Sequence, residues 1–307
     1  DYEFVDASKL FAFDYHGKID INKTNANINY YIKPHHKVVV PGFYGINPDG
    51  SIKLFSRGGS DVTGALLAAG LKASKYENFT DVDGILMADP RIIDNPKTIE
   101  AITYKELREL SYMGATVLHE DAIFPIRKEG IPINIRNTNA PEEPGTLIVE
   151  ATCRHPKYTI TGIAGKQGFA SITIEKAMMN SEVGFCRKVL QVFEDNGISI
   201  EHMPSGIDTM TVFVHQSEFE EKEQEVIAGI HQAVQPDSIE LESDLSLIAI
   251  VGRGMRAKRG TSGRVFSALA HAHVNVKMID QGSSELNIVV GVRNHDFENA
   301  IRALYDI

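Results

Sequence analysis

The chain contains an internal repeat, and this repeat limits the folds open to its second half. Residues 187–214 can be laid over residues 263–290 at a constant offset of about 76 residues, with apolar residues at matching positions. The matching positions form a helical set (Val189, Leu190, Val192 and Phe193 with Val265, Phe266, Ala268 and Leu269) and an alternating set (Met210, Val212 and Val214 with Leu286, Ile288 and Val290). Each copy is therefore predicted to fold as β-α-β-β-α-β, the order of a ferredoxin-like module, which is too long for one solenoid turn. The alternative is that two unrelated α/β segments match by chance.

The composition indicates a globular protein that binds small molecules. The chain has 307 residues, 43% hydrophobic and 23% charged, which is long enough for two or three separate cores. A formal net charge of -10 argues against nucleic acid or an anionic membrane as partner, because both require clustered Lys and Arg. No apolar run approaches the roughly 20 residues of a membrane span, and Cys153 and Cys186 lack the spacing of a zinc site or a disulfide framework. We therefore expect a cytoplasmic protein with no nucleic-acid partner, no membrane partner and no bound transition metal.

The first half alternates short apolar runs with helical segments, as in an α/β domain. Strands are predicted near residues 37–40, 51–55 and 131–136, and helices over residues 61–73 and 103–114. Residues 137–146, NTNAPEEPGT, have no periodicity, and they are predicted to form the connection that leaves this domain. A domain boundary is expected near residue 150.

The segment FSRGGSDVTGALLAAGL has the pattern of an anion-binding turn. A strand runs into Gly58 and Gly59, which let the backbone approach a ligand, and the apolar helix that follows begins with unpaired N–H groups. Ser60 or Asp61 can cap this helix, and Arg57 can form paired hydrogen bonds with a carboxylate or phosphate. The alternative interpretation is a capped helix after a tight turn, with Arg57 on the surface.

A second segment, NFTDVDGILMADPRII, groups acidic and hydroxyl side chains around a glycine: Thr80, Asp81, Asp83 and Asp89. Acidic groups at a strand end can hold a ribose or orient magnesium-bound phosphates, and Arg91 can contact phosphate oxygens. The alternative is an Asx-rich turn followed by an Asp-Pro break. The spacing is not that of an EF-hand.

Together these two segments resemble the aspartate kinase branch of the amino acid kinase family. RGGSDVTG is followed further along by FTDVDGILMADPR, and VVVPGFYG and ELSYMGATVLHEDAIFPIRKEGIPINIRNTN extend the resemblance. The duplication is similar to that family's tandem ACT modules, so nearly the whole chain is covered. Other amino acid kinases, such as those acting on glutamate or UMP, share the sandwich but lack this tail. The resemblance implies an α/β fold, with the C-terminal part of a three-layer α/β/α amino acid kinase sandwich followed by two ferredoxin-like ACT modules.

The resemblance also implies an activity. The γ-phosphoryl group of Mg-ATP would pass in line to the side-chain carboxylate of L-aspartate, giving 4-phospho-L-aspartate for lysine, threonine and methionine synthesis. Positioning and charge neutralisation dominate such transfers. By resemblance, Arg57 and Ser60 bind aspartate, and Asp61 organises charge beside the transferred group. Contacts with ATP, which brings Mg²⁺, are implied for Thr80, Asp81, Leu86, Arg91 and Thr116.

The sequence departs from the family pattern in three places. The Lys-Phe-Gly-Gly segment, whose lysine meets the phosphates, does not occur in these 307 residues, nor does the substrate-binding acid of the same half. Because the chain opens without Met and in a strand-like segment, we expect an amino-terminal truncation and no turnover by this polypeptide alone. Leu86 stands where relatives often have Tyr, and Thr116 where many have Lys.

By resemblance to lysine-inhibited relatives, the first ACT module binds the effector and the second mainly supports the interface. The implied effector residues are Met179, Glu182, Gly184, Phe185, Cys186, Ser199, Ile200 and Glu201. Glu201, with Asp208 nearby, would pair with ammonium groups of the effector. The alternative is that this face is packing between modules. Lysine is the expected effector and threonine the second candidate, and ACT pairing is expected to give a homodimer.

The resemblance implies three segments. They are a kinase domain at 1–150 that carries the ATP site, an effector-binding first ACT module at 169–235, and a second ACT module formed by 158–168 plus 245–307. The first module is thus an insertion in the second, and 158–168 is expected to pair with strands of the last module. Inhibition would then be a shift between two states that the effector biases.

Two other functions remain open. The chain could be a natural regulatory subunit that binds amino acids and catalyses nothing, or a kinase for a different acidic substrate such as glutamate. The histidines show no ligand pattern, and solvated or packed roles are expected for His35, His36, His119, His271 and His273.

Overall fold

The computed structural model describes residues 2–35, 37–55, 58–115, 120–151, 158–256 and 258–307. It divides into two compact units. The first consists of Asp1–Met87, Lys97–Ser111 and Ala115–His155, and the second of Ala88–Pro96, Tyr112–Gly114 and Pro156–Ile307. Within the described residues, every helix is too short or too polar to cross a bilayer.

The first unit alternates helices with short strands, as predicted. Its strands are β1 (Glu3–Phe4), β2 (Val38–Val39), β3 (Tyr44–Ile46), β4 (Ile52–Leu54), β5 (Tyr76–Thr80), β6 (Ala101–Thr103), β7 (Ile133–Asn137) and β8 (Thr146–Val149). Its helices are α1 (Ile21–Tyr31), α2 (Gly59–Leu71), α3 (Tyr104–Tyr112), whose last residue is counted with the second unit, and α4 (Glu120–Lys128). Strands and helices therefore occur at all five places where the sequence predicts them in this half.

The main sheet of the first unit has the order β5-β7-β8-β6. β5 runs parallel to β7, and β7 runs antiparallel to β8. The prediction that residues 137–146 leave this domain is wrong, because the chain turns back after β7 and adds β8 to the same sheet. A run of Asn, Pro and Gly indicates a turn, but the same residues are used whether the chain reverses or departs.

The second unit is built on one six-stranded sheet with the order β10-β11-β9-β12-β14-β13. The strands are β9 (Gly162–Glu175), β10 (Ile200–His202), β11 (Thr209–His215), β12 (Ser238–Val251), β13 (Met278–Asp280) and β14 (Asn287–Arg293). The helices are α5 (Phe185–Asp195), α6 (Gln216–Glu220), α7 (Glu223–Val234), α8 (Thr261–His271) and α9 (Phe297–Tyr305). Apolar faces of α5 and α7 share one core with β9 and β11, while α8 and α9 share a second core with β12 and β14.

The two long strands β9 and β12 each serve both halves of this sheet. The C-terminal part of β9 pairs with β11 and with the start of β12, while Gly162–Gln167 pair with Ser246–Val251. In the first half, β12-β9-β11-β10 have the spatial order 4-1-3-2 of a ferredoxin-like module. The second half, β9-β12-β14-β13, has the same arrangement, with β9 in the place of the fourth strand although it comes first in the chain. The pairing predicted for the 158–168 segment is thus present from Gly162 onward.

The constant offset predicted for the repeat is wrong from β11 onward. α5 begins at Phe185 and α8 at Thr261, but β11 begins at Thr209 and β14 at Asn287. The core-facing partners of Met210, Val212 and Val214 are consequently Ile288, Val290 and Val292, two residues beyond the predicted match. A slip of two residues leaves strand alternation unchanged, since side chains alternate with a period of two.

The six-stranded sheet curls so that side chains of its two edge strands meet. Nδ1 of His202 on β10 lies 2.7 Å from Oδ2 of Asp280 on β13, although these strands stand at opposite ends of the strand order. In a flat sheet, five spacings of about 4.8 Å would separate them by roughly 24 Å. The curl accounts for burial on the face away from the helices, where Phe169, Phe213 and Leu247 are at most 2% exposed.

Candidate functional site

The start of α2 has the open N-terminus that the sequence predicts, but it is built differently. Gly58 is the N-cap residue with φ 77°, a left-handed conformation that favours glycine, and neither Ser60 nor Asp61 caps the helix as predicted. Gly59 is required by packing, because a side-chain carbon there would lie 2.9 Å from Cβ of Phe55. The glycine pair thus shapes the helix start, and Ser60 in the first turn stays exposed.

The carboxylate of Asp61 is oriented by the neighbouring strand. Asn78 on β5 donates from Nδ2 to Oδ1 of Asp61 at 2.9 Å, and also to the hydroxyl of Tyr76 at 3.0 Å. Burial raises the pKa of Tyr76, and the negative charge of Asp61 acts in the same direction. Asn78 and Tyr76 were not predicted as site residues, although polar side chains at residues 76, 78 and 80 of one strand share a face and are a signal for them.

The carboxyl ends of the parallel strands β5 and β7 lie side by side. Thr80 is the register partner of Asn137, and Oγ1 of Thr80 donates to Oδ1 of Asp81 at 3.2 Å. Nδ2 of Asn137 donates to Oδ1 of Asp83 at 2.6 Å, so the acidic turn is attached to the next strand. Ligands bind at such carboxyl ends in open α/β sheets. Asn137 belongs to this turn, and the sequence reading missed it because it was taken for the start of a connection.

The next part of this segment is held by a buried threonine. Oγ1 of Thr146 accepts from the backbone N–H of Ile85 at 2.8 Å and donates to the carbonyl of Ile99 at 2.6 Å. Leu86, a predicted ATP contact, follows directly, is half-buried and forms an isolated bridge with Thr98. The structure thus brings Ser60, Asp61, Thr80, Asp81 and Leu86 into one unit.

Arg91 is engaged by a carboxylate of its own turn. Its Nη2 and Nε donate to Asp89 at 2.6 and 3.0 Å, and these hydrogen bonds lower the pKa of Asp89. Arg91 belongs to the second unit and its side chain is 89% exposed. Two other predicted residues, Arg57 and Thr116, lie outside the described residues. Among the residues that are described, there is no group of three or more His, Cys, Asp or Glu side chains arranged to hold a metal ion.

In the second unit, the loop before α5 is held by ion pairs of Glu182. The two carboxylate oxygens of Glu182 lie 2.5 Å from Nζ of Lys176 and 2.7 Å from Nζ of Lys188. Hydrogen bonds from these lysines lower the pKa of Glu182. Gly184, with φ 84°, is the N-cap of α5. Glu182 is therefore paired internally, and its role here is to position the loop.

Of the other predicted effector residues, some are buried in a hydrophobic core and some are exposed on the surface. Met179 and Phe185 are buried in the core that α5 shares with the sheet, and Ile200 packs against them. Cys186 at the start of α5 and Ser199 just before β10 are exposed. β10 pairs only with β11 among the described strands, so one edge of its backbone is open.

Glu201 lies at a register irregularity of β10, between Ile200, which pairs with Val214, and His202, which pairs with Phe213. Its side chain is 5% exposed, and Oε1 lies 3.3 Å from Nε2 of His215 on β11. The hydroxyl of Tyr112 donates to Oε2 at 2.5 Å. The structure therefore separates the carboxylate of Glu201 from the side chains of Met179 and Phe185.

Comparisons with known proteins place both units. The family model of the amino acid kinase family matches residues 3–137, and an ACT domain model matches residues 248–307. Aspartokinase 3 of Bacillus subtilis is 44% identical over 269 residues, which is 87% of this chain and 59% of that protein. Aspartate kinase of Pseudomonas putida is 33% identical over 296 residues, which is 94% of this chain and 69% of that protein. The chain thus spans about three fifths of the first of these relatives.

Solved structures are similar over the whole chain. Clostridium acetobutylicum aspartate kinase has a TM-score of 0.92 and 52% identity, and the match covers 99% of this chain and 70% of that one. Escherichia coli aspartokinase III in complex with lysine and aspartate has a TM-score of 0.74 and 25% identity, with 100% and 69% covered. The predicted fold class, an amino acid kinase α/β sandwich portion followed by ferredoxin-like ACT modules, is confirmed.

Proposed function

Because this chain belongs to the aspartate kinase family, we propose that it serves the ATP-dependent phosphorylation of L-aspartate to 4-phospho-L-aspartate. This would be the first step of lysine, threonine and methionine synthesis. The observation that carries the proposal is the link from the start of α2 to the end of β5. Through Asn78, the carboxylate of Asp61 is joined to the strand that ends at Thr80, directly before Asp81.

The proposed roles follow the chemistry of each group. Arg57 and Ser60 would bind the carboxylates of aspartate at the open start of α2, whose N–H groups and dipole favour anions. Asp61 would organise charge beside the transferred phosphoryl group. Contacts with ATP are proposed for Thr80, Asp81, Leu86, Arg91 and Thr116, and Arg91 would have to exchange Asp89 for a phosphate.

Mg²⁺ is proposed to enter with ATP. It needs no cage of protein ligands, because it binds through substrate phosphates, waters and one or two carboxylates. The clustered carboxylates Asp81 and Asp83 at the end of β5 fit that requirement. When bound, the ion would neutralise charge that develops on the phosphates.

We also propose that the second unit senses an end-product amino acid, with lysine first and threonine second. A kinase domain at 1–150 would be followed by ACT modules at 169–235 and at 158–168 plus 245–307. The start of α5 with Gly184, Phe185 and Cys186, and the open edge of β10 from Ser199 to Glu201, offer N–H and C=O groups to an amino acid. The complex of Escherichia coli aspartokinase III with lysine supports this choice. A homodimer through ACT modules and a cytoplasmic location complete the proposal.

A hydroxamate assay, which traps an acyl phosphate, tests the catalytic part. The 307-residue chain alone is expected to give no product, since the Lys-Phe-Gly-Gly segment does not occur in it. The same chain preceded by a segment that carries the Lys-Phe-Gly-Gly motif is expected to phosphorylate aspartate, with full-length Bacillus subtilis aspartokinase 3 as positive control. Preference for glutamate would contradict the substrate. Saturable amino-acid binding without turnover in either form would favour a regulatory subunit.

A further inference from the structure

Glu201 lies at the centre of a small polar cluster that the predicted effector set does not explain. The cluster consists of Tyr112, Lys166, Glu201 and His215, with the ring of Phe169 stacked on His215 at 4.9 Å between centroids. All five residues belong to the second unit. Their side chains come from the end of α3 and from strands β9, β10 and β11.

The carboxylate of Glu201 already accepts a hydrogen bond in this arrangement and lies beside the ring of His215. The hydroxyl of Tyr112 donates to Oε2 at 2.5 Å, which is a short, charge-assisted hydrogen bond. Nε2 of His215 lies 3.3 Å from Oε1, and Nζ of Lys166 lies 3.4 Å from the same Nε2. Because the side chain of Glu201 is only 5% exposed, a new cation can reach it only by replacing one of these neighbours.

Tyr112 is the neighbour that is easiest to replace. The residue is 58% exposed, whereas the side chain of His215 is 24% exposed and packed on Phe169. Burial of its hydroxyl raises the pKa of Tyr112 to about 12, and the hydrogen bond to Glu201 with its negative charge acts in the same direction. The hydroxyl therefore remains a donor at neutral pH, and it can turn outward into solvent without breaking a core.

We infer that Tyr112 belongs to the effector site. Its hydroxyl donates a hydrogen bond to the carboxylate of Glu201, and the ammonium group of an incoming amino acid must displace it. This inference rests on the proposed function, because it takes Glu201 as the ligand for that ammonium group. An ammonium group can donate a hydrogen bond to the carboxylate as the phenol hydroxyl does, and it also carries a full positive charge. Binding of the effector and the Tyr112–Glu201 hydrogen bond then oppose each other, and each weakens the other by the same factor.

Calorimetry with lysine, threonine and methionine on the 307-residue chain tests this competition. Tyr112→Phe keeps the ring but removes the donor, so the dissociation constant of the effector is expected to fall about tenfold, the factor for one hydrogen bond to a charged group. Tyr15→Phe is the matched control, because Tyr15 is 92% exposed in the first unit, and it is expected to leave binding unchanged. Glu201→Gln is expected to weaken binding at least tenfold and to abolish the gain from Tyr112→Phe.

A spectroscopic readout separates displacement from a merely structural role. The chain has no Trp and ten Tyr residues, so its near-ultraviolet absorption reports on tyrosine. Addition of effector is expected to give a tyrosine difference spectrum in the unmodified chain and in Tyr15→Phe, but not in Tyr112→Phe. An unchanged or higher dissociation constant in Tyr112→Phe would overturn the competition while leaving amino-acid sensing intact. Absence of binding by all three amino acids to the unmodified chain would refute the proposed sensing function and the competition together.

Discussion

Thr146 is a buried connection between two segments of the first unit, and its replacement by valine is predicted to destabilise that unit. The side chain is 0% exposed, accepts a hydrogen bond from the N–H of Ile85 and donates one to the carbonyl of Ile99. Valine has nearly the same shape but no polar atom. Thr146→Val therefore leaves one buried backbone donor and one buried backbone acceptor without a partner.

The size of the effect follows from these two groups. A buried backbone group that loses its partner costs about 1–3 kcal/mol. The hydrogen bond from Ile99 N–H to the carbonyl of Ile85 at 2.8 Å remains, so the two segments stay together and part of the cost is relieved. We expect a loss of about 2–4 kcal/mol. With a urea m-value of about 2 kcal/mol per M, the unfolding midpoint would fall by roughly 1–2 M.

Urea unfolding followed by circular dichroism measures this loss, and amide exchange at residues 85 and 99 assigns it to the first unit, since a two-unit chain need not unfold in one step. Thr138→Val is the matched control, because Thr138 is exposed in the same unit and is expected to change stability by less than about 0.5 kcal/mol. A loss below about 0.5 kcal/mol for Thr146→Val, or an equal loss in the control, would refute the reasoning.

Three further perturbations test other parts of the structure. Gly145→Ala should lower the unfolding free energy by more than about 3 kcal/mol, because the new carbon would lie 1.9 Å from the backbone oxygen of Ile135. Gly130 has the same φ of 67° but no atom within 4 Å, so Gly130→Ala should lower it by only about 1–2 kcal/mol. Equal losses of thermal stability in the two variants would contradict this. Since two lysines lower the pKa of Glu182, its ion pairs stabilise the fold above the unfolded-state pKa near 4.5 and lose this effect as pH falls through the folded-state pKa. Glu182→Gln should therefore lower the unfolding free energy at neutral pH and make it fall less steeply as the pH is lowered. If the unfolding free energy of the variant depends on acidic pH as strongly as that of the unmodified chain, the ion pairs do not contribute to stability. In the chain preceded by a Lys-Phe-Gly-Gly segment, Asn78→Ala should lower kcat about tenfold, because the carboxylate of Asp61 would no longer be held by Asn78. A change in KM alone would argue against this orienting role of Asn78.

Apolar periodicity is the feature of the sequence that predicts helices and strands. Apolar spacing located three strands and two helices of the first half, and the repeat predicted two modules of the same strand and helix order. Period-two alternation could not detect the two-residue slip between β11 and β14, because every apolar position still falls on the same face. Alternation also gives no sign of the register irregularity of β10 at Glu201, between Ile200 and His202.

Several site residues are visible only when distant segments meet. Asn137 reads as part of a turn, and its contact with Asp83 depends on the parallel pairing of β5 with β7. Thr146 lies 61 residues from Ile85 along the chain, and no local pattern connects them. Hydrogen bonds of this kind have no sequence period, since they are set by strand order rather than by spacing.

The sequence by itself determined the family, five of the helices and strands in the first half, and the duplicated second half, because these depend on local motifs and on apolar periodicity. Only the tertiary structure decided which glycine shapes the start of α2, which strand orients Asp61, and what Glu201 contacts. The physical reason is that strand alternation and sheet curvature place side chains in three dimensions. The carboxylate of Glu201 therefore meets Tyr112, 89 residues earlier in the chain, instead of the buried residues that lie close to it in sequence.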